Sequence, residues 1–125
     1  MKCALVLSSD SEMFIHVRDA LVEAGAASAA DTVQILDEGY LFNLFGNLGS
    51  AFDYDLNEPI TEWRGEGEPP DIASASVCYV ECRSETVFIR WVEFLAGKLP
   101  APVWVLDSDD VLWDACNIDP LELRL

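Results

Sequence analysis

The chain has 125 residues, of which 51% are apolar, 23 are acidic and 7 are basic, so its net charge at pH 7 is −16. This length suits a single domain over residues 1–125, and the apolar fraction is too high for a disordered chain. A charge this negative repels nucleic acid and anionic membranes and favours basic protein partners. No segment approaches the twenty apolar residues of a membrane helix.

The first thirty residues predict a strand and an amphipathic helix. An apolar strand is expected at Lys2–Leu7, and Ser9 with Glu12 has the spacing of a capping box. Apolar residues then recur at helical spacing over 13–24, and Gly25 is placed to end the helix. The Ala/Ser stretch 26–30 is expected to be a connection, followed by a weakly patterned strand at 32–36.

Residues 39–71 are the least regular part of the chain. They interleave aromatic and acidic residues: Tyr40, Phe42, Phe45, Phe52, Tyr54 and Trp63 with Asp53, Asp55, Glu58, Glu62, Glu66, Glu68 and Asp71. Strands are expected at Ser50–Asp55 and near Ile60–Arg64, between turns marked by glycine and proline. Two interpretations stay open: the aromatic residues pack the core while the acids solvate loops, or together they form a recognition surface.

The second half predicts a central strand, a helix and a hairpin. The strand is Ile72–Cys82, and Ser84 caps a helix that runs to about Gly97 with a buried stripe of Phe88, Trp91, Val92 and Leu95. The segment 102–115 then reads as a hairpin. A short strand is expected at Leu121–Leu125.

The hairpin concentrates negative charge. If Ser108 and Asp109 form a two-residue loop, Trp104 faces Trp113, and Asp107 faces Asp110. The two tryptophans would share a core face. The acidic residues Asp107, Asp109, Asp110 and Asp114 would need water or a cation, because like charges opposite one another destabilise a sheet.

The element order predicts an α+β fold. Two helices on one face of a mostly antiparallel sheet would satisfy it, with a ferredoxin-like arrangement carrying extra strands as one form. The first strand and the hairpin are expected to be neighbours.

Cysteine and histidine give little sign of a catalytic or metal centre. Cys78 and Cys82 lie on one strand face about 13 Å apart, too far to chelate one ion. Free thiols and a short N-terminal apolar run lead us to expect a cytoplasmic protein. His16 falls on the polar face of the first helix, where a surface histidine near carboxylates is the expected role. No cofactor is expected.

The stretch Leu106–Leu112 resembles the haloacid dehalogenase motif, in which Asp107 would be the nucleophile and Asp109 the general acid. That fold needs its nucleophile near the N-terminus, whereas only residues 114–125 follow here. A second alternative is an enzyme that binds a divalent ion through Asp107, Asp109, Asp110 and Asp114, although the spacing lacks that of a calcium loop. A third alternative is an acidic adaptor protein that binds an unrelated partner.

In size, acidity and α+β pattern, and in the segment VWVLDSDDVLWDACNIDPLELRL, the chain resembles the immunity proteins of bacterial polymorphic-toxin and contact-dependent inhibition systems. The resemblance implies a non-enzymatic, cytoplasmic, monomeric inhibitor of a basic toxin domain such as a nuclease. Electrostatic and aromatic contacts would hold the toxin. The expected contact residues are Phe52, Asp53, Asp55, Glu58, Glu62, Trp63, Asp107, Asp109, Asp110 and Asp114, with Trp63 and Phe52 as aromatic anchors.

Overall fold

The computed structural model describes residues 2–46, 60, 62–72 and 74–125, and these residues form two helices and eight strands. In chain order the elements are β1 (Cys3–Ser8), α1 (Met13–Glu23), β2 (Ala27–Ala29), β3 (Thr32–Asp37), β4 (Tyr40–Phe45), β5 (Glu62–Arg64), β6 (Ser76–Glu81), α2 (Glu85–Lys98), β7 (Val103–Leu106) and β8 (Val111–Asp114). The predicted α+β class is confirmed. The strand expected at Ser50–Asp55 lies outside the described residues. So do four expected contact residues, namely Phe52, Asp53, Asp55 and Glu58.

The eight strands form one sheet in the order β2-β3-β4-β6-β1-β7-β8-β5. Every pair is antiparallel except β5 with β8. The four central strands, β4-β6-β1-β7, are linked through α1 and α2 in the β-α-β-β-α-β order of a ferredoxin-like fold, and the other strands extend both edges. The expected pairing of the first strand with the hairpin is confirmed, since β1 pairs with β7.

Both helices cover the same face of the sheet. The larger core packs α1 and α2 against Ala4 and Val6 of β1, whereas the alternate residues Leu5 and Leu7 belong to a smaller cluster on the opposite face with Ile72. Because successive side chains of a strand point to opposite faces, a strand buried on both faces needs an unbroken apolar run. This explains why β1 is apolar throughout.

The sequence predicts the C-terminal end of α1 correctly but not its N-terminal cap. The Ser9–Glu12 capping box does not form: Glu12 is the N-cap and its side chain makes no capping hydrogen bond. Instead, Asp10 accepts a hydrogen bond from the Glu12 amide at 3.0 Å. The role of Gly25 is confirmed, because at φ 109° its amide donates to Val22 O and the next amide donates to Leu21 O, a Schellman motif.

The predicted start of α2 is confirmed. Ser84 Oγ accepts a hydrogen bond from the Val87 amide at 3.2 Å. The buried stripe consists of Val87, Phe88, Val92 and Leu95. Trp91 departs from the expectation that it belongs to this stripe, since it is half-buried at the rim of the core and its indole packs edge-on against Phe94.

Three local predictions are wrong. The supposed connection 26–30 contains β2, and the supposedly irregular region contains β4, which follows β3 through a two-residue turn. That turn, Glu38-Gly39, has positive φ at both positions, the geometry that joins twisted strands. Leu121–Leu125 forms no strand; the Leu123 amide donates to Asp119 O in a turn, and the Leu123 side chain is buried in the core.

Candidate functional site

The turn between β7 and β8 is longer than the sequence predicts. Leu106 pairs with Leu112, and the Asp107 amide donates to Val111 O, so the loop has three residues, 108–110. The Asp110 amide donates to Asp107 O at 3.1 Å, and Asp110 has φ 60°. A type I turn followed by one left-handed residue is the usual three-residue hairpin, and aspartate tolerates that conformation better than most residues.

This one-residue change of register moves the two tryptophans to opposite faces. Trp113 pairs with Val105 and is 2% exposed in the core beneath the helices. Trp104 pairs with Asp114 and packs against the smaller cluster on the other face. The predicted cross-strand contact of Trp104 with Trp113 is therefore wrong.

Asp107 holds this turn together. The residue is 4% exposed, and its two carboxylate oxygens accept four hydrogen bonds. Oδ1 accepts from the amides of Asp109 at 2.9 Å and Val111 at 3.1 Å. Oδ2 accepts from Trp113 Nε1 at 3.0 Å and from the Arg124 amide at 3.3 Å. The expectation that Asp107 is solvated is wrong, because the residue is buried and both oxygens are used within the fold.

The C-terminal segment completes the same cluster of contacts. The amide and the hydroxyl of Ser108 both donate to Arg124 O, each at 2.8 Å. Together with the bond from the Arg124 amide to Asp107, these contacts fasten the last residues across the hairpin turn. The turn is thus held from inside by a carboxylate and from outside by the chain end.

Two carboxylates of the turn remain available to a partner. Asp109 and Asp110 are exposed at its tip. Asp114 is half-buried, and its Oδ1 accepts a hydrogen bond from the Cys116 amide at 3.0 Å. Of the four hairpin aspartates expected to contact a partner, Asp109 and Asp110 are therefore exposed, Asp114 is half-buried and Asp107 is buried.

Strand β5 lies next to this turn. Glu62 pairs with Val111, the residue that follows Asp110, and it is exposed. Arg64 forms ion pairs with Glu62 and with Glu122, the latter at 2.5 Å. The exposed carboxylates Glu62, Asp109, Asp110 and Glu122, which we call the acidic edge, are therefore gathered at one end of the sheet.

Trp63 is less available than an aromatic anchor should be. It packs against the smaller core cluster, and its Nε1 donates to Gly67 O at 3.2 Å. The backbone of Gly65 lies against the face of its ring, where a Cβ would collide with it. The loop 63–67 thus wraps the indole, and only part of Trp63 remains exposed beside the acidic edge.

Two members of this arrangement, Glu122 and Arg64, carry no local signal in the sequence. The pattern of Leu121–Leu125 predicts that Glu122 lies in a terminal strand, whereas it reaches Arg64 from the C-terminal turn. Arg64 itself lies 5.3 Å over the ring of Trp113, a cation–π contact, and thereby connects β5 to the hairpin. Both contacts join residues that are far apart in the chain, and no local pattern indicates them.

His16 forms an ion pair that is separate from the acidic edge. Its Nδ1 lies 2.5 Å from Asp10 Oδ2. The hydrogen bond between them raises the pKa of His16 above its usual 6.5 and lowers the pKa of Asp10 below its usual 3.8. With Nδ1 bonded to Asp10, only Nε2 of His16 remains for any proton transfer. The nearby Ser8 is fully buried and donates to Pro102 O, so its hydroxyl is not placed as a nucleophile.

The described residues contain no group of three or more histidine, cysteine, aspartate or glutamate side chains placed to hold a metal ion. In the same part of the chain, neither helix is long and apolar enough to cross a bilayer. Comparisons with protein-family models, with curated proteins and with solved structures give no significant match. Function must therefore be inferred from the geometry of this chain alone.

Proposed function

We propose that the protein is an immunity protein that binds a basic toxin domain, such as a nuclease, and neutralises it in the cytoplasm. The observation that carries this proposal is the acidic edge. Three exposed carboxylates, those of Glu62, Asp109 and Asp110, lie on a strand and a turn whose backbones are fastened to the core, and Glu122 lies beside them in the C-terminal turn. Preorganised charge of this kind suits the recognition of a cationic protein surface, because little side-chain or loop ordering is needed on binding.

The charge of the whole chain supports the same partner. At −16 it creates a long-range field that accelerates encounter with a cationic domain and disfavours nucleic acid. Arg64 offsets only part of the acidic edge, because it pairs with Glu62 and Glu122, whereas Asp109 and Asp110 form no ion pair within the described part of the chain.

The alternative of an enzyme built on the hairpin aspartates receives less support. A metal ligand or a nucleophile needs a free carboxylate oxygen, and both oxygens of Asp107 already accept two N–H donors each. An acidic adaptor would use the same surface with a different basic partner, so that only the identity of the partner separates it from an immunity protein.

A neighbouring-gene experiment tests the proposal. The probe is the small basic domain that ends the large reading frame next to this gene, produced in cells with and without the protein. We expect the protein to protect the cells and to bind the purified domain with an on-rate that falls steeply as salt is added. A neighbouring frame without such a domain, or a toxic domain that this protein neither binds nor neutralises, would contradict the immunity function.

A charge-matched pair of variants tests the surface. One variant carries Glu62→Gln, Asp109→Asn, Asp110→Asn and Glu122→Gln, and the control neutralises four exposed acids elsewhere, Asp19, Glu23, Glu38 and Glu93. Because nearby charges act within a Debye length of about 8 Å, the acidic-edge variant should associate roughly tenfold more slowly, and the control should change less. Equal on-rates for the two variants would mean that the acidic edge has no special role.

A further inference from the structure

The opposite edge of the sheet is incompletely paired. Strand β2 pairs with only the first half of β3, from Thr32 to Gln34. Within the described part of the chain, no strand covers the outer side of β3 from Ile35 to Asp37. Unpaired N–H and C=O groups at a sheet edge are a template for another strand. A groove of about 500 Å³ lies beside this edge.

Exposed apolar side chains lie in this groove next to the unpaired backbone of β3. Leu36 is 70% exposed and Leu41, its cross-strand partner on β4, is 42% exposed. Both lie on the face of the sheet that the helices leave uncovered. On the other side of the edge, the lining includes Gly25 at the end of α1 and Trp91 of α2. A strand added to β3 would thus place alternate side chains on Leu36 and toward the helices.

The charges around the groove determine what kind of strand fits. The C-terminal end of α1 carries the negative end of the helix dipole, and its last turn contains Glu23 and no basic residue. Glu38 is exposed at the β3–β4 turn. Arg90, the nearby cation, is already paired with Asp37 at 2.5 Å and with Glu38 at 3.5 Å. The helix side of the groove therefore favours a cationic side chain.

We propose that the open edge of β3 is a strand-addition site for an extended segment of a partner protein in which basic and apolar residues alternate. The apolar side chains would cover Leu36 and Leu41, the basic ones would face the C-terminal end of α1, and the backbone would pair with Ile35–Asp37. This is the binding mode in which main-chain hydrogen bonds supply affinity and alternate side chains supply specificity. The site does not depend on the immunity function, since it lies at the far edge of the sheet from β5 and β8.

The test uses a synthetic peptide of about six residues that alternates lysine and valine, the usual length of a strand. The peptide is titrated into the full chain. Binding is monitored in NMR spectra through the backbone amide signals of the protein and the indole N–H signal of Trp91. We expect saturable shifts confined to Ile35–Asp37, the end of α1 and Trp91, and about tenfold weaker binding by Leu36→Thr, which removes an apolar contact while keeping a strand-forming residue.

Two controls make the outcome decisive. Leu121→Thr removes another exposed leucine, in the C-terminal turn, and should bind like the unmodified chain. A peptide that alternates glutamate and valine should bind at least tenfold more weakly. Absence of shifts at β3 with millimolar peptide would overturn the proposal. So would equal binding of the two peptides. Concentration-dependent shifts of the same amides without peptide would assign the edge to a second copy of this chain instead.

Discussion

The indole of Trp113 donates a hydrogen bond to the buried carboxylate of Asp107 at 3.0 Å, within a turn whose sequence otherwise indicates a solvated acidic loop. The same oxygen accepts the Arg124 amide, and the other oxygen accepts two amides of the turn. One carboxylate thereby joins the hairpin, a core aromatic residue and the chain end. Its removal should affect stability rather than charge recognition.

Asp107→Asn should therefore destabilise the protein by roughly 3 kcal/mol, because an amide cannot accept all four hydrogen bonds and would turn its own NH₂ toward buried donors. Urea denaturation followed by tryptophan fluorescence measures this. Asp109→Asn is the matched control, with the same chemical change at an exposed position, and should shift stability by less than about 0.5 kcal/mol. Equal unfolding midpoints for the two variants would show that the buried carboxylate contributes no more than an exposed one.

Phe88 and Trp91 should differ in their contribution to stability, although both were expected to lie in the buried stripe of α2. Phe88 is fully buried, with its ring centroid 6.1 Å from that of Phe42, so Phe88→Ala should cost about 3–5 kcal/mol. Trp91 is half-buried at the rim, so Trp91→Ala should cost clearly less despite the larger side chain. Thermal and urea melts give the comparison, and a larger loss for Trp91→Ala would contradict the packing described for α2.

The His16–Asp10 pair should make stability depend on pH in a defined direction. Its hydrogen bond raises the pKa of His16, so the stabilisation is present below the unfolded pKa of histidine and is lost as pH rises through the raised value. The same bond, its largest cause, lowers the pKa of Asp10, so the stabilisation is lost at acid pH as that lowered value is crossed. His16→Gln should therefore be most destabilising, relative to the unmodified chain, between these limits.

An NMR titration of the His16 ring gives a second measurement of this pair. The midpoint should lie above 6.5 in the unmodified chain and should move down toward 6.5 in Asp10→Asn, which keeps an acceptor for the Glu12 amide. Glu23→Gln removes a carboxylate from the other end of α1 and serves as the control. A His16 midpoint that Asp10→Asn leaves unchanged would exclude Asp10 as the cause of the raised pKa.

The cysteines should differ in their reactivity with a maleimide in the native protein. Cys116 is exposed and should be labelled, at a rate that rises with pH because the thiolate is the reactive form. Partial burial, with Asp114 and Glu93 nearby, raises the pKa of Cys116, so this rise should occur at higher pH than for an unperturbed thiol. Burial raises the pKa of Cys78 to about 12 and also raises that of Cys82, so both should stay unlabelled until denaturant is added. Mass spectrometry identifies the labelled positions. Rapid native labelling of Cys78 would mean that the larger core opens.

In the hairpin, local patterns predict the two strands but not their register. Alternating apolar residues indicate both strands, and they are found where predicted. The register was wrong by one residue, because the length of the loop depends on Asp107 capping the turn and on Asp110 adopting φ 60°. A one-residue slip exchanges the two faces of a strand, so this single error also misplaced Trp104, Trp113 and Asp107.

The two candidate sites could be predicted from the sequence even less than the hairpin register, because tertiary contacts bring their residues together. The sequence shows that Glu62, Asp109 and Asp110 are acidic, but their proximity follows from the parallel pairing of β5 with β8. Glu122 reaches Arg64 only because the C-terminal segment is fastened to the turn at Arg124. Likewise, nothing local indicates that β2 stops short and leaves half of β3 unpaired.

By itself, the sequence determined the α+β class, the two amphipathic helices, the central strands and the strong negative charge. These features follow from hydrophobic periodicity, from the Ser84 cap and the Gly25 stop, and from composition, all of which act between residues close in the chain. Only the tertiary structure decided which carboxylates are buried and which sheet edge is open. Burial of Asp107 is possible because the turn, Trp113 and the chain end supply its four donors together, and no short segment of the sequence contains all of them.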